Sequence, residues 1–287
     1  MHSVSIVGCG YTGRHLAQRW RSSGARVRGY ATRAESLRQI EAVGAEALPL
    51  DLDGRMDPVD FSGQLLYYAV PPAAQASDGR LARFLHNLAG APQRLIYLST
   101  TGVYGDQAGA AVNEDVPPAP RTERAARRLE AEMRVREWAD SRQVSWCVLR
   151  VAGIYGPGRL PLDRLRRAVP TVVAHEATPS NRIHVTDLVT ACVAAGLAAT
   201  AHRRIYNVAD GNHDSLTEYL RRVADIAGLS RPPLISRADA ERTLSASAWS
   251  FLAESRRIDN RRLLEELGVT LKYRDLDAGI RASLDKT

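Results

Sequence analysis

The sequence predicts an α/β fold, a main domain with a smaller appendage. Three observations carry this. The apolar run Ser3-Val4-Ser5-Ile6-Val7 ends in Gly8-Cys9-Gly10-Tyr11-Thr12-Gly13 and passes at once into the helical spacing of Leu16, Ala17 and Trp20. Strand-like and helix-like stretches then alternate along most of the chain, as in folds built from βα units. In mid-chain a hydroxyl-rich stretch, Ser99-Thr100-Thr101, follows an apolar strand at the end where open α/β sheets bind ligands.

Each element follows in order. GxGxxG between a strand and a helix predicts a dinucleotide site at Gly8, Gly10, Tyr11, Thr12 and Gly13. Gly8 allows the turn, Gly10 lets a pyrophosphate approach the backbone, and Gly13 lets the helix pack on the strand; the helix N-terminus offers unpaired N–H groups. Residues 25–30 read as the second strand, and Thr32-Arg33-Ala34-Glu35 has the spacing of a capping box opening a helix to Val43. NAD-specific sites place an acidic residue at the end of this strand to bind the ribose 2′-hydroxyl. Here Ala31, Thr32 and Arg33 stand there, with no carboxylate before Glu35. A hydroxyl and a guanidinium suit a 2′-phosphate, so NADP is expected ahead of NAD. The plainer roles are helix capping for Thr32 and solvation for Arg33.

Residues 45–50 form the third strand, and Asp51-Leu52-Asp53 after it is placed beside the adenine. The fourth strand, residues 64–70, carries Ala69 and Val70 at its end and stops at Pro71-Pro72, where the pyrophosphate and nicotinamide ribose would lie. A helix from about Asp78 to Leu88 turns Leu81, Phe84, Leu85 and Leu88 to one face and leaves His86 to solvent. The fifth strand, residues 94–98, runs into Ser99-Thr100-Thr101-Gly102-Val103-Tyr104-Gly105.

The chain of 287 residues has a formal charge of +7, carried almost wholly by arginine, since lysine occurs only at Lys272 and Lys286. The basic residues are spread over helix faces without an aromatic-interleaved stripe, so nucleic acid is not an expected partner. The histidines show no metal-ligand spacing, and no metal is expected. Cys9, Cys147 and Cys192 sit far apart among apolar residues and read as buried thiols of a reducing cytosol. With no signal segment and no stretch long enough to cross a bilayer, a cytoplasmic protein away from membranes is expected.

From Ser99 onward the motifs become specific. The strand end with its Val-Tyr-Gly turn is followed by Ser145–Val151 and Gly153-Ile154-Tyr155-Gly156-Pro157-Gly158, then by Asn181-Arg182-Ile183-His184-Val185-Thr186-Asp187, Ile205–Val208 and Asn260–Gly268. In this order they resemble the extended short-chain dehydrogenase/reductase family, the NAD(P)-dependent epimerase/dehydratase group that includes nucleoside-diphosphate-sugar epimerases. The resemblance is close to a short bacterial subgroup with a degraded Tyr/Lys pair. It implies a Rossmann-type domain, a doubly wound and mostly parallel sheet with helices on both faces, over residues 1–155 and 186–229, and a small C-terminal substrate region over 156–185 and 230–287. It also implies cofactor contacts from Ser99, Gly153, Ile154 and Tyr155, and pairing of two copies through helices beside the fifth and sixth strands, so a homodimer is possible.

In this family a Tyr with a Lys four residues later transfers the proton, and a strand-end hydroxyl orients the substrate oxygen. Thr100 matches that hydroxyl, with Thr101 the alternative. The plain reading is that both merely satisfy backbone groups. The Tyr/Lys pair is missing. On the helix from about Thr122 to Trp138, Arg124 and Arg128 take its places if Glu132 aligns with the family's following acid, and Thr122 and Ala126 do if Glu130 aligns; both registers are open. Arg128 could donate to the nicotinamide ribose, but arginine cannot exchange a proton at neutral pH. Tyr104, Tyr155 and Glu123 are the candidate proton carriers. Arg182, then Arg159, are candidates for an acidic substrate group; His184 reads as packed or beside the ribose. The expected function is an NADP-preferring epimerase-like oxidoreductase acting on a carbonyl or sugar-nucleotide-like substrate. The alternative is a catalytically impaired NAD(P)-binding sensor or scaffold.

Overall fold

The structure is a computed structural model that describes residues 1–54, 56–73, 79–245, 249 and 252–284. Seven strands form its sheet: β1 (Ser3–Val7), β2 (Arg26–Ala31), β3 (Glu46–Pro49), β4 (Leu65–Tyr68), β5 (Arg94–Thr100), β6 (Ser145–Val151) and β7 (Arg204–Val208). Their order is β7-β6-β5-β4-β1-β2-β3 and every pairing is parallel. The order reverses on either side of β1, which opens a crevice beyond the carboxyl ends of β1 and β4.

Side chains alternate through the sheet as the two-residue strand period requires. Val4, Ile6, Leu65, Tyr67, Ile96 and Leu149 enter one core, with α1 (Tyr11–Ser22), α2 (Ala34–Glu41) and α6 (Val185–Leu197) over it. Val7, Leu66, Tyr68, Tyr97 and Val148 enter the other, beneath α3 (Gly79–His86) and α4 (Glu123–Ser141). Tyr67 shows how closely these layers join: its hydroxyl donates to the Cys192 carbonyl of α6 at 3.0 Å. Cys9, Cys147 and Cys192 are buried free thiols, and burial pushes the first two up to about 12. Among the described residues no helix is long and apolar enough to cross a membrane.

A smaller layer gathers α5 (Leu162–Arg166), α7 (Leu216–Ala227) and α10 (Leu276–Leu284) around Tyr155, Leu165, Tyr219, Leu220, Val223 and Ile280. Here the partition differs from the expected one. Helix α7, which the resemblance assigns to the main domain, packs in this layer. Strand β7 is the sheet's edge and among the described residues no later strand joins that sheet, so the stripe of α7 is free to cover α5 and α10. Conversely Leu263 of α9 (Arg261–Glu265) and Leu267, Val269 and Leu271 after it join the main core, although the substrate region was expected to hold them. The short helix α8 (Arg237–Thr243) lies between α7 and α9 in the chain.

Two local expectations are corrected. Thr32 and Glu35 form no capping box: Arg33 is the N-cap residue of α2, without a side-chain cap, and Glu35 pairs with Arg38 one turn on. The helix ends at Glu41 rather than Val43. In α3 Leu81, Phe84 and Leu85 are buried and His86 is exposed, but Leu88 falls beyond its end; Asp78 lies outside the described residues.

Candidate functional site

The glycine turn opens a cleft of about 560 Å³ at the sheet's carboxyl edge, lined by Gly8, Gly10, Tyr11, Thr12 and Gly13. Gly8 has φ +81°, and its N–H and that of Cys9 donate to the Tyr30 carbonyl of β2 at 3.1 and 2.9 Å. At Gly13 an added Cβ would come within 3.2 Å of Cys9 Sγ and Ile6, so glycine there sets how closely α1 approaches the sheet. At Gly10 the nearest neighbour would be 3.9 Å away, on the open side. Helix α1 carries no side-chain cap and no acidic residue in its first turn. Its amides and partial positive charge thus face the cleft, as a pyrophosphate requires. The Tyr11 hydroxyl donates to the Pro157 carbonyl at 3.0 Å, and Arg159 lies 4.2 Å over the Tyr11 ring, so the 156–159 loop roofs the turn.

Thr32 and Arg33 line the far end of this cleft, joined by Ser36, Leu52, Asp53 and Arg80. Asp53 holds Arg80 in a two-pronged ion pair, with Nη2 to Oδ2 at 2.6 Å, so its charge is neutralised. Asp51, expected beside the adenine, is instead an exposed residue whose Oδ1 accepts the Asp53 N–H; the turn between them brings Asp53, two residues on, to the cleft instead. Ala69, Val70, Pro71 and Ser99 complete the wall.

A second cleft of about 670 Å³ adjoins the first and shares Pro71, Arg128, Ile154 and Arg159 with it. Thr100 and Thr101 line it. Thr100 Oγ1 accepts the Gly102 N–H at 3.1 Å, which uses a lone pair and leaves its own proton to donate elsewhere. The Arg128 guanidinium donates to the Leu98 carbonyl at 3.0 Å and the Tyr97 hydroxyl at 3.2 Å, which fixes it at the boundary of the two clefts. Of the two registers open for α4, Glu132 is the acid that turns inward; Glu130 is exposed on Arg134. Glu132 pairs with Arg150, Nη2 to Oε2 at 2.9 Å, with the two side chains only 1% and 3% exposed, and accepts the Ser99 hydroxyl. One and two turns earlier, Arg128 and Arg124 line the second cleft.

The proton-carrier candidates fall elsewhere. Tyr104 is wholly buried, donates to Asn207 Oδ1 at 2.8 Å and lies under the Arg150 guanidinium; burial raises its pKa. Glu123 points to solvent with Arg127. Gly153 and Tyr155, expected at the cofactor, line only the second cleft, because the chain leaves β6 toward the small layer. The Tyr155 hydroxyl is turned to the back, where a Cβ at Gly279 would lie 2.3 Å from it, and burial raises its pKa. His184 is packed between Tyr155 and Tyr273, with Nδ1 accepting the Thr186 N–H.

The other end of the second cleft is rich in guanidinium groups. Arg182 is 5% exposed, donates to Ser180 Oγ at 2.6 Å and stacks 4.6 Å over Tyr219; its Nη1 has no partner. Arg164 Nε and Arg256 Nε are likewise buried without partners. Desolvation lowers the pKa of Arg182 and Arg164, so an anion there would relieve their burial. Behind Arg182, Asp210 has one oxygen without a partner, and burial pushes its pKa up to about 7. Folded Asp210 keeps its proton to about pH 7 and the unfolded chain releases it near 3.8, so the folded state binds more protons in that window. Its contribution to stability should therefore fall as pH rises from about 4 to about 7. Thermal unfolding across this range should show a shallower decline in Asp210→Asn than in the wild type.

Comparison with known proteins agrees with this architecture. The NAD dependent epimerase/dehydratase family model matches residues 76–209. The match spans just under half of the chain. The chain is 27% identical to Protein YeeZ of Escherichia coli K12, over 96% of this chain and 97% of that protein. A functionally unknown conserved protein from Silicibacter pomeroyi superposes with a TM-score of 0.80 at 29% identity, covering 99% of each chain. UDP-glucuronic acid 4-epimerase from Bacillus cereus, solved in complex with UDP-glucuronic acid and NAD, does so with 0.77 at 18% identity, covering 99% of this chain and 98% of that one.

Several lining residues carry no sequence signal of their own. Arg164 sits on a five-residue helix, and Glu254 and Arg256 on a connecting stretch without period. Ser36 and Arg80 stand on helices whose apolar faces point elsewhere.

Proposed function

We propose that this chain is an NADP-preferring oxidoreductase that moves a hydride between a nicotinamide and a carbonyl or alcohol carbon of an anionic, nucleotide-linked substrate. The observation that carries the reading is the shared wall of the two clefts, where Arg128, Ile154 and Arg159 face both. A bound nicotinamide supplies the hydride chemistry. The chain's residues supply position and charge. The Thr100 hydroxyl, whose acceptor side is engaged by Gly102, donates to the reacting oxygen; Arg128 holds the ribose side, and a guanidinium there takes no part in proton exchange. Arg182 and Arg159 hold the substrate's anion. In this reading the sheet and its helices hold the dinucleotide, and the layer of α5, α7 and α10 shapes the substrate end. The sugar nucleotide bound by the Bacillus cereus relative supports that substrate class.

The test is a calorimetric titration with NADPH and, separately, NADH. Tight NADPH and weak NADH binding are expected. Arg33→Ala should cost NADPH about tenfold in affinity, the size of one charge-assisted contact, and leave NADH nearly unchanged. Equal losses for both would remove Arg33 from the 2′-phosphate.

A second reading rests on α4, which carries neither tyrosine nor lysine. The chain would then bind NADP as a sensor or scaffold. NADPH binding without hydride exchange into any carbonyl or nucleotide-sugar substrate would favour it.

A further inference from the structure

Among the described residues that line the second cleft, the charges are unequal. Arg124, Arg128, Arg159, Arg164, Arg182 and Arg256 face a single carboxylate, Glu254. Glu254 is largely buried, 11% exposed, and its two oxygens differ. Oε2 accepts from Arg256 Nη1 at 2.8 Å, whereas Oε1 is covered and has no partner. The segment carrying it is pinned on both sides. Arg256 also donates to the Gly105 carbonyl, the Ser255 N–H donates to Asp106 at 2.8 Å, and Asn181 donates to the Arg256 carbonyl at 2.9 Å. The backbone here is thus fixed, while the carboxylate is held by Arg256 alone and can turn Oε1 toward the cleft; a buried oxygen left unmet costs about 1–3 kcal/mol.

We propose that Glu254 is a specificity residue: its Oε1 accepts a hydrogen bond from a neutral hydroxyl that the substrate carries beside its anion. An ionised carboxylate is acceptor-only and repels a phosphate or carboxylate at that spot. The surrounding guanidinium groups repel an ammonium. What satisfies both is an uncharged O–H donor, the chemistry of a sugar ring attached to a diphosphate. This rests on the anionic, nucleotide-linked substrate proposed above and adds the group that distinguishes the sugar from the nucleotide alone.

The test uses UDP and UDP-glucose as probes, titrated calorimetrically into the NADPH-saturated protein. In Glu254→Gln, UDP-glucose should lose about tenfold in affinity, the loss expected for one hydrogen bond to a charged group, while UDP binds unchanged or more tightly. A parallel loss for both probes would mean that Glu254 only orients Arg256, and a parallel gain that it is only a repelling charge; either overturns the assignment. Should Glu254→Gln fail to fold, the wild type supplies the same test through monodeoxy analogues of UDP-glucose. One analogue should lose about tenfold, and equal affinities across the series would overturn the proposal. If the wild type binds neither UDP nor UDP-glucose, the substrate class itself is wrong and the assignment falls with it.

Discussion

Gly10→Val should abolish NADPH binding while costing the fold no more than about 1 kcal/mol. A Cβ at this position meets nothing nearer than the Gly8 carbonyl at 3.9 Å, and Gly10 has φ −81°, so the change needs no left-handed backbone. The added side chain instead fills the space in front of the α1 N-terminus. The contrast with Gly8 makes the experiment decisive. There φ is +81° and a Cβ would lie 2.7 Å from Val70 Cγ2 and 2.9 Å from the Val70 nitrogen, so Gly8→Ala should destabilise the protein whether or not a ligand binds. The readout is the melting temperature with and without NADPH. At a hundred times its dissociation constant a ligand stabilises the wild type by about 2.7 kcal/mol, and Gly10→Val should show none of it. A variant that melts like the wild type and still gains from NADPH would show that the pyrophosphate does not sit at this turn.

Glu132→Ala should be the most damaging single change in α4, costing about 3–5 kcal/mol in urea denaturation. It removes the partner of Arg150, which is 2% exposed and already has one unpartnered nitrogen, Nη1, so a buried charge is left uncompensated. It also removes the acceptor of the Ser99 hydroxyl, at the wall of the dinucleotide cleft. The pair itself contributes less than its breakage costs, because desolvation of two charges offsets most of their attraction. Replacing both residues with apolar ones of similar volume, Glu132→Leu with Arg150→Met, should therefore recover most of the loss. A cost under about 1 kcal/mol for Glu132→Ala would mean that water or another group reaches Arg150.

What could be read from the chain alone follows from how local the signal is. The glycine turn was legible because strand, turn and helix occupy about twenty consecutive residues. The strands were legible because a parallel sheet covered on both faces needs unbroken apolar runs such as Leu65–Tyr68 and Trp146–Leu149. Contacts between distant segments left no such mark. Tyr104 and Tyr155 carry a chemically suitable hydroxyl, but only the fold turns one to Asn207 and the other toward Gly279. Asp51 and Asp53 are indistinguishable by spacing, and the turn between them decides which one Arg80 meets. Helix α7 has the periodicity of any amphipathic helix; its partner was set by the sheet ending at β7, with no later described strand joining it, which periodicity does not encode.

The placement of β1 inside the sheet bears on synthesis. Its unit with α1 is made early, but α6, which covers Leu16 and Trp20 together with the β1 face, ends at Leu197. About 175 residues separate that end from Ser22 at the close of α1. At a synthesis rate of about 5–20 residues per second the nascent strand and helix wait roughly 10–35 s for their cover. Because every strand pairing among the described residues is parallel, no hairpin among them offers a quicker partner. The segment that most needs shielding as the chain emerges is thus the one that carries the glycine turn.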